Sequence, residues 1–200
     1  MKTKKKGFST MNQGKPSAKM LVRPEQKEEF RRIREVIQEA FEPMPFSTGR
    51  EWELVEKIRR SSGYIPGLAL VANLEGNLVG HILISLVSLD AGKKEQDILL
   101  LGPVSVVPEW QRQGIGHELI RIGIMASRRL PLPVMVVVGD PLYYGRFGFQ
   151  PAEEHGFRLP FGLDNSDFFQ VLELKTGMRK GLGGTVKLPE TFFDEKGDLL

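Results

Sequence analysis

The sequence predicts a mixed α/β fold: a single, mostly antiparallel central sheet with flanking helices. Three observations carry that reading. Apolar runs of strand length at 68–74, 77–87 and 97–107 are separated by turn signals, as in an antiparallel meander. The last run passes through a glycine loop into an amphipathic helix at 114–129 and on to an apolar run at 132–138, which reads as one right-handed β-α-β unit. Two further helical patterns precede the meander, so helices and strands alternate around one sheet.

The elements follow in chain order. Residues 20–23 are a short strand candidate ended by Pro24. Over 25–41, Phe30, Ile33, Val36, Ile37 and Phe41 recur at helical spacing with charges opposite, and Glu42-Pro43-Met44-Pro45 stops the helix. A second helix is expected over 49–60, with Trp52, Leu54, Val55 and Ile58 on its apolar side. Glu75-Gly76 is a tight hairpin turn, and 90–94 is a second turn. Arg128 and Arg129 close the helix over 114–129, where cations suit the helix dipole. The run 132–138 is apolar throughout, as in a strand covered on both faces. A short helix or turn is expected over 141–147, and last strands at 157–159 and 168–174. The chain thus divides into a disordered Lys-rich tail over 1–18, a single domain over 19–176 and a C-terminal arm over 177–200.

Composition narrows the function. Forty per cent of the 200 residues are hydrophobic, enough for one core. Cysteine is absent, which excludes disulfides, zinc–thiolate sites, cysteine-ligated iron–sulfur clusters and a cysteine nucleophile, and fits a cytoplasmic protein. No metal site is expected. No apolar run reaches the roughly 18–20 residues that cross a bilayer, and no apolar stretch follows the basic N-terminus as a secretory signal requires, so no membrane association is expected. The net charge of +3 comes from the tail: without the six lysines in residues 1–20, 22 basic residues face 25 acidic ones, a net of −3. The tail holds one aromatic, Phe8, too little for a base-stacking platform, so it reads as a solubilising extension and nucleic acid is not the expected partner.

The stretch Val106-Val107-Pro108-Glu109-Trp110-Gln111-Arg112-Gln113-Gly114-Ile115-Gly116 carries most of the functional signal. A strand, a short polar loop and a helix start in immediate succession aim several backbone N–H groups at one point, on the positive end of a helix dipole. That arrangement holds a phosphate. A P-loop would need Gly-x-x-x-x-Gly-Lys-Ser/Thr, which is absent, and a dinucleotide fold would need a third glycine where Leu119 stands. A second cluster, Gly139-Asp140-Pro141-Leu142-Tyr143-Tyr144-Gly145-Arg146-Phe147-Gly148-Phe149, follows the next strand. Parallel strands place ligands at their C-terminal edge, so one ligand can run from the glycine loop to Tyr144. Phe147 and Phe149 are expected to be structural.

Together these stretches resemble the GNAT superfamily of acetyl-CoA-dependent N-acetyltransferases. Gln111-Arg112-Gln113-Gly114-Ile115-Gly116 after Val106-Val107-Pro108 is similar to the family's acetyl-CoA motif, and Tyr144-Gly145-Arg146-Phe147-Gly148-Phe149 is similar to its later Tyr-x-x-x-Gly-Phe motif. The Gly139-Asp140-Pro141 lead-in and the long arm resemble a subgroup of small bacterial members with mostly unassigned substrates. The resemblance implies the GNAT fold over 19–176, with acetyl-CoA as co-substrate. It implies that Gln111, Arg112, Gln113, Gly114, Ile115 and Gly116 hold the pyrophosphate, that the strand at Val104 and Val106 holds the pantetheine arm, and that Tyr144 is the general acid. Tyrosine is protonated at neutral pH and can supply a proton to the departing thiolate. The family usually has Asn where Gly139-Asp140-Pro141 stands, so the acceptor side is expected to differ or the short helix to start on Pro141.

A general base is not evident. Asp97, Glu109 and Asp140 are candidates, each reading more readily as a turn or surface residue, and His81 reads as structural. The acceptor is an amine, either a small molecule or on a peptide or protein, and its identity is not legible. The oligomeric state, a homodimer included, is open. A non-catalytic acetyl-CoA-binding module and a nucleic-acid-associated protein acting through the Lys-rich tail are the alternatives to an enzyme.

Overall fold

The first strand, β1 (Met20–Pro24), lies on the sheet edge and pairs antiparallel with β2 (Ala69–Leu74), where Pro24 removes no needed ladder donor. The computed structural model describes residues 20–200 except 46, 93 and 161–166, so the tail expected to be disordered over 1–18 lies outside the described residues. The remaining strands are β3 (Asn77–Asp90), β4 (Glu95–Val106), β5 (Val134–Val138), β6 (Gln150–Pro151), β7 (Phe157–Arg158), β8 (Phe169–Glu173) and β9 (Gly184–Lys187). They form one sheet in the order β1-β2-β3-β4-β5-β8-β6, with β9 joining β3 and β7. Among the described residues only the β4–β5 and β7–β9 pairs are parallel. The predicted class, one mixed and mostly antiparallel sheet with flanking helices, is the observed one.

Helices cover both faces. On one face α1 (Phe30–Phe41) and α2 (Glu51–Arg59) set Ile33, Val36, Ile37, Val55 and Ile58 against Val71, Leu83, Ile98, Leu100, Val134 and Val136. On the other, α3 (Ile115–Ser127) sets Leu119, Ile120 and Ile124 against Ile82, Ile84, Leu99, Leu101, Met135 and Val137. Odd and even residues of β4 and β5 thus serve opposite faces, which is why 132–138 carries no polar position. Each fully buried Leu, Ile or Val contributes about 1.5–3 kcal/mol, so this two-sided core dominates the fold's stability. No helix among the described residues is long and apolar enough to cross a membrane.

Besides the unpredicted two-residue β6, which pairs with β8, two elements depart from expectation. The helix expected from Glu25 begins only at Phe30, after a single 3-10 turn at Lys27–Glu29. Glu25 stays extended because its amide donates to the Ala69 carbonyl (2.9 Å) and its side chain is drawn under α2. Glu29 then fixes the turn, accepting from the Gln26 amide at 3.0 Å and from the Arg23 guanidinium at 2.6 and 2.8 Å. The second departure is β9, inside the segment read as an arm. β2 ends short of the far half of β3, leaving Ser88–Asp90 with a free edge that Thr185–Lys187 occupies. The chain then returns over α2, where Phe192 is buried, Lys57 donates to the Phe193 carbonyl (2.6 Å) and Arg50 pairs with Asp194 (2.6 Å).

Candidate active site

The site begins where β4 and β5 part. The two strands pair only through Leu99–Leu101 and Met135–Val137. Beyond Leu101, Gly102 and Pro103 stand against Leu83 alone, a bulge in β4 that bends it away from β5, and Pro103 has no N–H to pair. The Val107 amide donates to the Val79 carbonyl (3.0 Å), which sets the alternation that follows. Residues 105 and 107 bond β3, while the amides of Val104 and Val106 turn away from it toward the gap. Gln111 Nε2 donates to the Val106 carbonyl (3.0 Å) and holds that peptide in place.

The loop at the mouth of the gap is a 3-10 turn, Pro108–Trp110, followed by two residues in the left-handed region, Arg112 (φ 57°) and Gly114 (φ 87°). A side chain at 114 would meet nothing within 4 Å, so glycine is needed there for its backbone angle alone. Arg112 adopts a comparable angle without being glycine, at a cost of about 1–2 kcal/mol, and such strain gathers at functional sites. α3 starts directly after Gly114, so its unpaired first-turn amides and the positive end of its dipole face the loop.

The opposite wall comes from α4 (Pro141–Tyr144), which follows β5. Asp140 caps it, accepting from the Leu142 amide through Oδ1 (2.9 Å), with Pro141 at the first helical position as the sequence suggested. The Gly139 carbonyl accepts from Gln170 Nε2 (2.9 Å), anchoring the lead-in. A Cβ at 139 would lie 2.2 Å from Tyr144 Cε2, so the Tyr144 ring rests directly on the glycine backbone. Tyr144 also stacks edge-on against Tyr143 (5.2 Å) and Phe149 (5.8 Å). Burial raises the Tyr144 hydroxyl well above its usual value, with Tyr143 adding to the rise, so the proton is retained. We expect Gly139→Ala to displace the ring, costing about 1–3 kcal/mol of stability and lowering turnover. Thermal melting and thiol-release assays check this; wild-type values in both would show that Gly139 does not hold the ring.

Seven of the predicted site residues, Val104, Val106, Gln111, Arg112, Gly114, Gly116 and Tyr144, line one cleft of about 610 Å³. Among the described residues Met44, Trp110, His117, Tyr143 and Arg146 complete its lining, and none of them is a predicted site residue. The Tyr143 ring carries the Arg146 guanidinium (4.8 Å), and its hydroxyl comes within 3.0 Å of where a Gly116 Cβ would be. His117 stacks on Phe147 (4.8 Å) at the start of α3. The other two predicted residues point elsewhere. The Ile115 side chain is buried in the core under α3, and Gln113 donates to the Glu109 carbonyl (3.1 Å), so what they offer the cleft is main chain.

None of the three base candidates lines the cleft. Asp97 sits opposite Ser88 near the far end of β4, Asp140 is occupied as a cap, and Glu109 is exposed on the 3-10 turn. His81 is fully buried, with Nε2 3.0 Å from Glu25 Oε2. Glu25 also receives Arg59 (2.6 and 2.9 Å) and the Tyr64 hydroxyl (2.9 Å). Burial pushes the Glu25 carboxyl up, but hydrogen bonds from His81 and Arg59 outweigh it and hold it at about 2. Burial lowers His81 against the opposing pull of Glu25. No group of three or more His, Asp or Glu among the described residues is placed to hold a metal ion.

Comparison with known proteins agrees with this geometry. Residues 21–152 match the model of the acetyltransferase (GNAT) domain. The chain is 35% identical over 130 residues to the uncharacterized N-acetyltransferase YjhQ of Escherichia coli K12, covering 64% of this chain and 69% of that protein. It resembles the crystal structure of a GNAT family acetyltransferase from Brucella melitensis in complex with acetyl-CoA, at TM-score 0.71 and 32% identity over 88% of this chain and 99% of that one. It also shares the fold of E. coli YhbS in complex with CoA, at TM-score 0.79 and 24% identity over 90% and 96% of the two chains. The chain therefore belongs to the GNAT acetyltransferase family and is an acetyl-CoA-dependent acyltransferase.

Proposed function

We propose that the protein transfers the acetyl group of acetyl-CoA directly to a primary amine, on a small molecule or on a peptide or protein, with Tyr144 as general acid. The observation that carries this reading is the placement of the Val104 and Val106 amides and the Tyr144 side chain on one cleft, with the 111–116 loop at its mouth. The pyrophosphate of CoA sits against the loop amides and the start of α3, with Arg112 and Arg146 supplying charge. The pantetheine arm fills the gap as an extra strand on Val104 and Val106. The Val106 N–H polarises the acetyl carbonyl as negative charge develops on its oxygen. The amine attacks, the C–S bond breaks, and the thiolate takes its proton from Tyr144. The Brucella relative is described with acetyl-CoA and E. coli YhbS with CoA, which supports the same ligand here.

The test is a panel of amines incubated with acetyl-CoA, reading free thiol and the mass of the acetylated product. Amine-dependent thiol release is expected. Failure to bind acetyl-CoA in calorimetry overturns the proposal, and binding without release by any amine replaces it with a sensing module.

A further inference from the structure

The incoming ammonium must lose a proton, yet among the described residues no carboxylate lines the cleft, and the one histidine there, His117, stands at the start of α3 and shares the lining with Arg112 and Arg146. The face of β4 turned to α1 and α2 offers another acceptor. Ser105 of β4 and His81 of β3 are directly opposite each other, so their side chains share a face with Cβ atoms about 4.5–5.5 Å apart. Both residues are fully buried. The Glu25 carboxylate assigns the imidazole proton to Nε2, which leaves a lone pair on Nδ1. Neither His81 Nδ1 nor Ser105 Oγ has a hydrogen-bond partner among the described residues. An unpaired buried polar atom costs about 1–3 kcal/mol, so two of them on adjacent strands call for a reason.

Their position supplies one. Ser105 lies between Val104 and Val106, the two residues whose amides face the gap. Met44, which follows α1, lines that gap too, so the cleft wall includes a residue contributed from the α1 side of the sheet, the side on which Ser105 and His81 lie buried. We infer that His81, held in its basic tautomer by Glu25 and reached through the Ser105 hydroxyl, accepts the proton of the incoming amine. This rests on the amine transfer proposed above. The ammonium loses two protons in all. The first passes through Ser105 to His81 Nδ1 and on to solvent, freeing the nitrogen lone pair that forms the C–N bond. The second leaves as the C–S bond breaks and balances the proton that Tyr144 gives to sulfur. The groups facing the imidazole are Glu25 from the β1–α1 link, Arg59 from α2 and Tyr64 from the segment after α2; α1 contributes the Phe30 ring beneath Arg59 (3.9 Å). Burial keeps His81 neutral at pH 7, and the Glu25 carboxylate stabilises the imidazolium while it exists.

Ser105→Ala deletes one unpaired hydroxyl and is expected to fold normally. With an alkylamine acceptor its kcat falls about 100-fold while the KM for acetyl-CoA is unchanged. With hydroxylamine, which is largely uncharged at neutral pH, the loss shrinks to little or nothing. His81→Gln shows the same split and loses the acidic limb of the kcat–pH profile. An unchanged kcat with the alkylamine, or equal losses with both acceptors, overturns the relay. So does nitrogen NMR of the intact protein placing the His81 proton on Nδ1. Wild-type protein that binds acetyl-CoA but releases thiol to no amine overturns the amine-transfer reading itself, which separates that failure from failure of the relay alone.

Discussion

Tyr144→Phe is expected to lower kcat by about 100- to 10,000-fold, the range in which a positioned general acid contributes, while the Kd for acetyl-CoA changes little. The substitution removes one oxygen and keeps the ring. Packing against Gly139, Tyr143 and Phe149 therefore survives, and the cleft keeps its shape. The missing proton matters only when the thiolate leaves, so the loss falls on turnover and not on binding. The Tyr144 hydroxyl is held above its ordinary value by burial, so its ionisation does not limit the wild-type rate up to pH 10, and an alkaline fall below that pH would implicate another group. Steady-state kinetics beside calorimetry of acetyl-CoA decide the matter: an unchanged kcat removes Tyr144 from the mechanism.

The second large effect is on stability. Glu25→Gln is expected to cost about 3–5 kcal/mol, because it leaves the Arg59 guanidinium, almost wholly buried, without its counter-charge. For a chain of this size that lowers Tm by roughly 10 °C. The pH dependence has a definite sign. Glu25 is held at about 2 in the folded state, so its contribution is complete above the ordinary carboxylate range and is lost as pH falls toward 2. His81 is lowered from 6.5, so the neutral form is favoured by folding, and that contribution is lost as pH falls below 6.5. Urea midpoints should therefore drop on acidification from about pH 6.5 downward, and the steepening below about pH 4.5 should be weaker in Glu25→Gln. A Tm within 2 °C of wild type would show that the Glu25–Arg59 pair contributes little.

Much of the fold and the cleft was legible because its signals are local. The 111–116 loop, the Asp140-Pro141 helix start and the two-faced apolar run at 132–138 each declare themselves within a few residues. Glu25 was not legible. It sits where a helical pattern begins, and its charge suits an exposed first turn, but partners 34 to 56 residues away pull it inward. β9 was hidden because a four-residue strand with one buried side chain, Val186, has no periodicity to show. Tyr143, His117 and Arg146 enter the cleft through the turn geometry of α4 and the first turn of α3, which motif spacing alone does not resolve. Met44 arrives from a loop some sixty residues earlier in the chain.

The parting of β4 and β5 has a mechanical meaning as well. Between β1–β4 on one side and β5, β8 and β6 on the other, the ladder is joined by three residue pairs. The seam of the sheet and the proposed acetyl-CoA channel are one place. In the binding mode proposed above, a pantetheine arm lying there as an added strand stitches the two halves along a line the polypeptide leaves open. Ligand occupancy then becomes part of the sheet's cohesion, worth about 2.7 kcal/mol at a hundredfold excess over Kd. On that binding mode the enzyme is expected to be most rigid while loaded and loosest in the interval between releasing CoA and taking up the next acetyl-CoA.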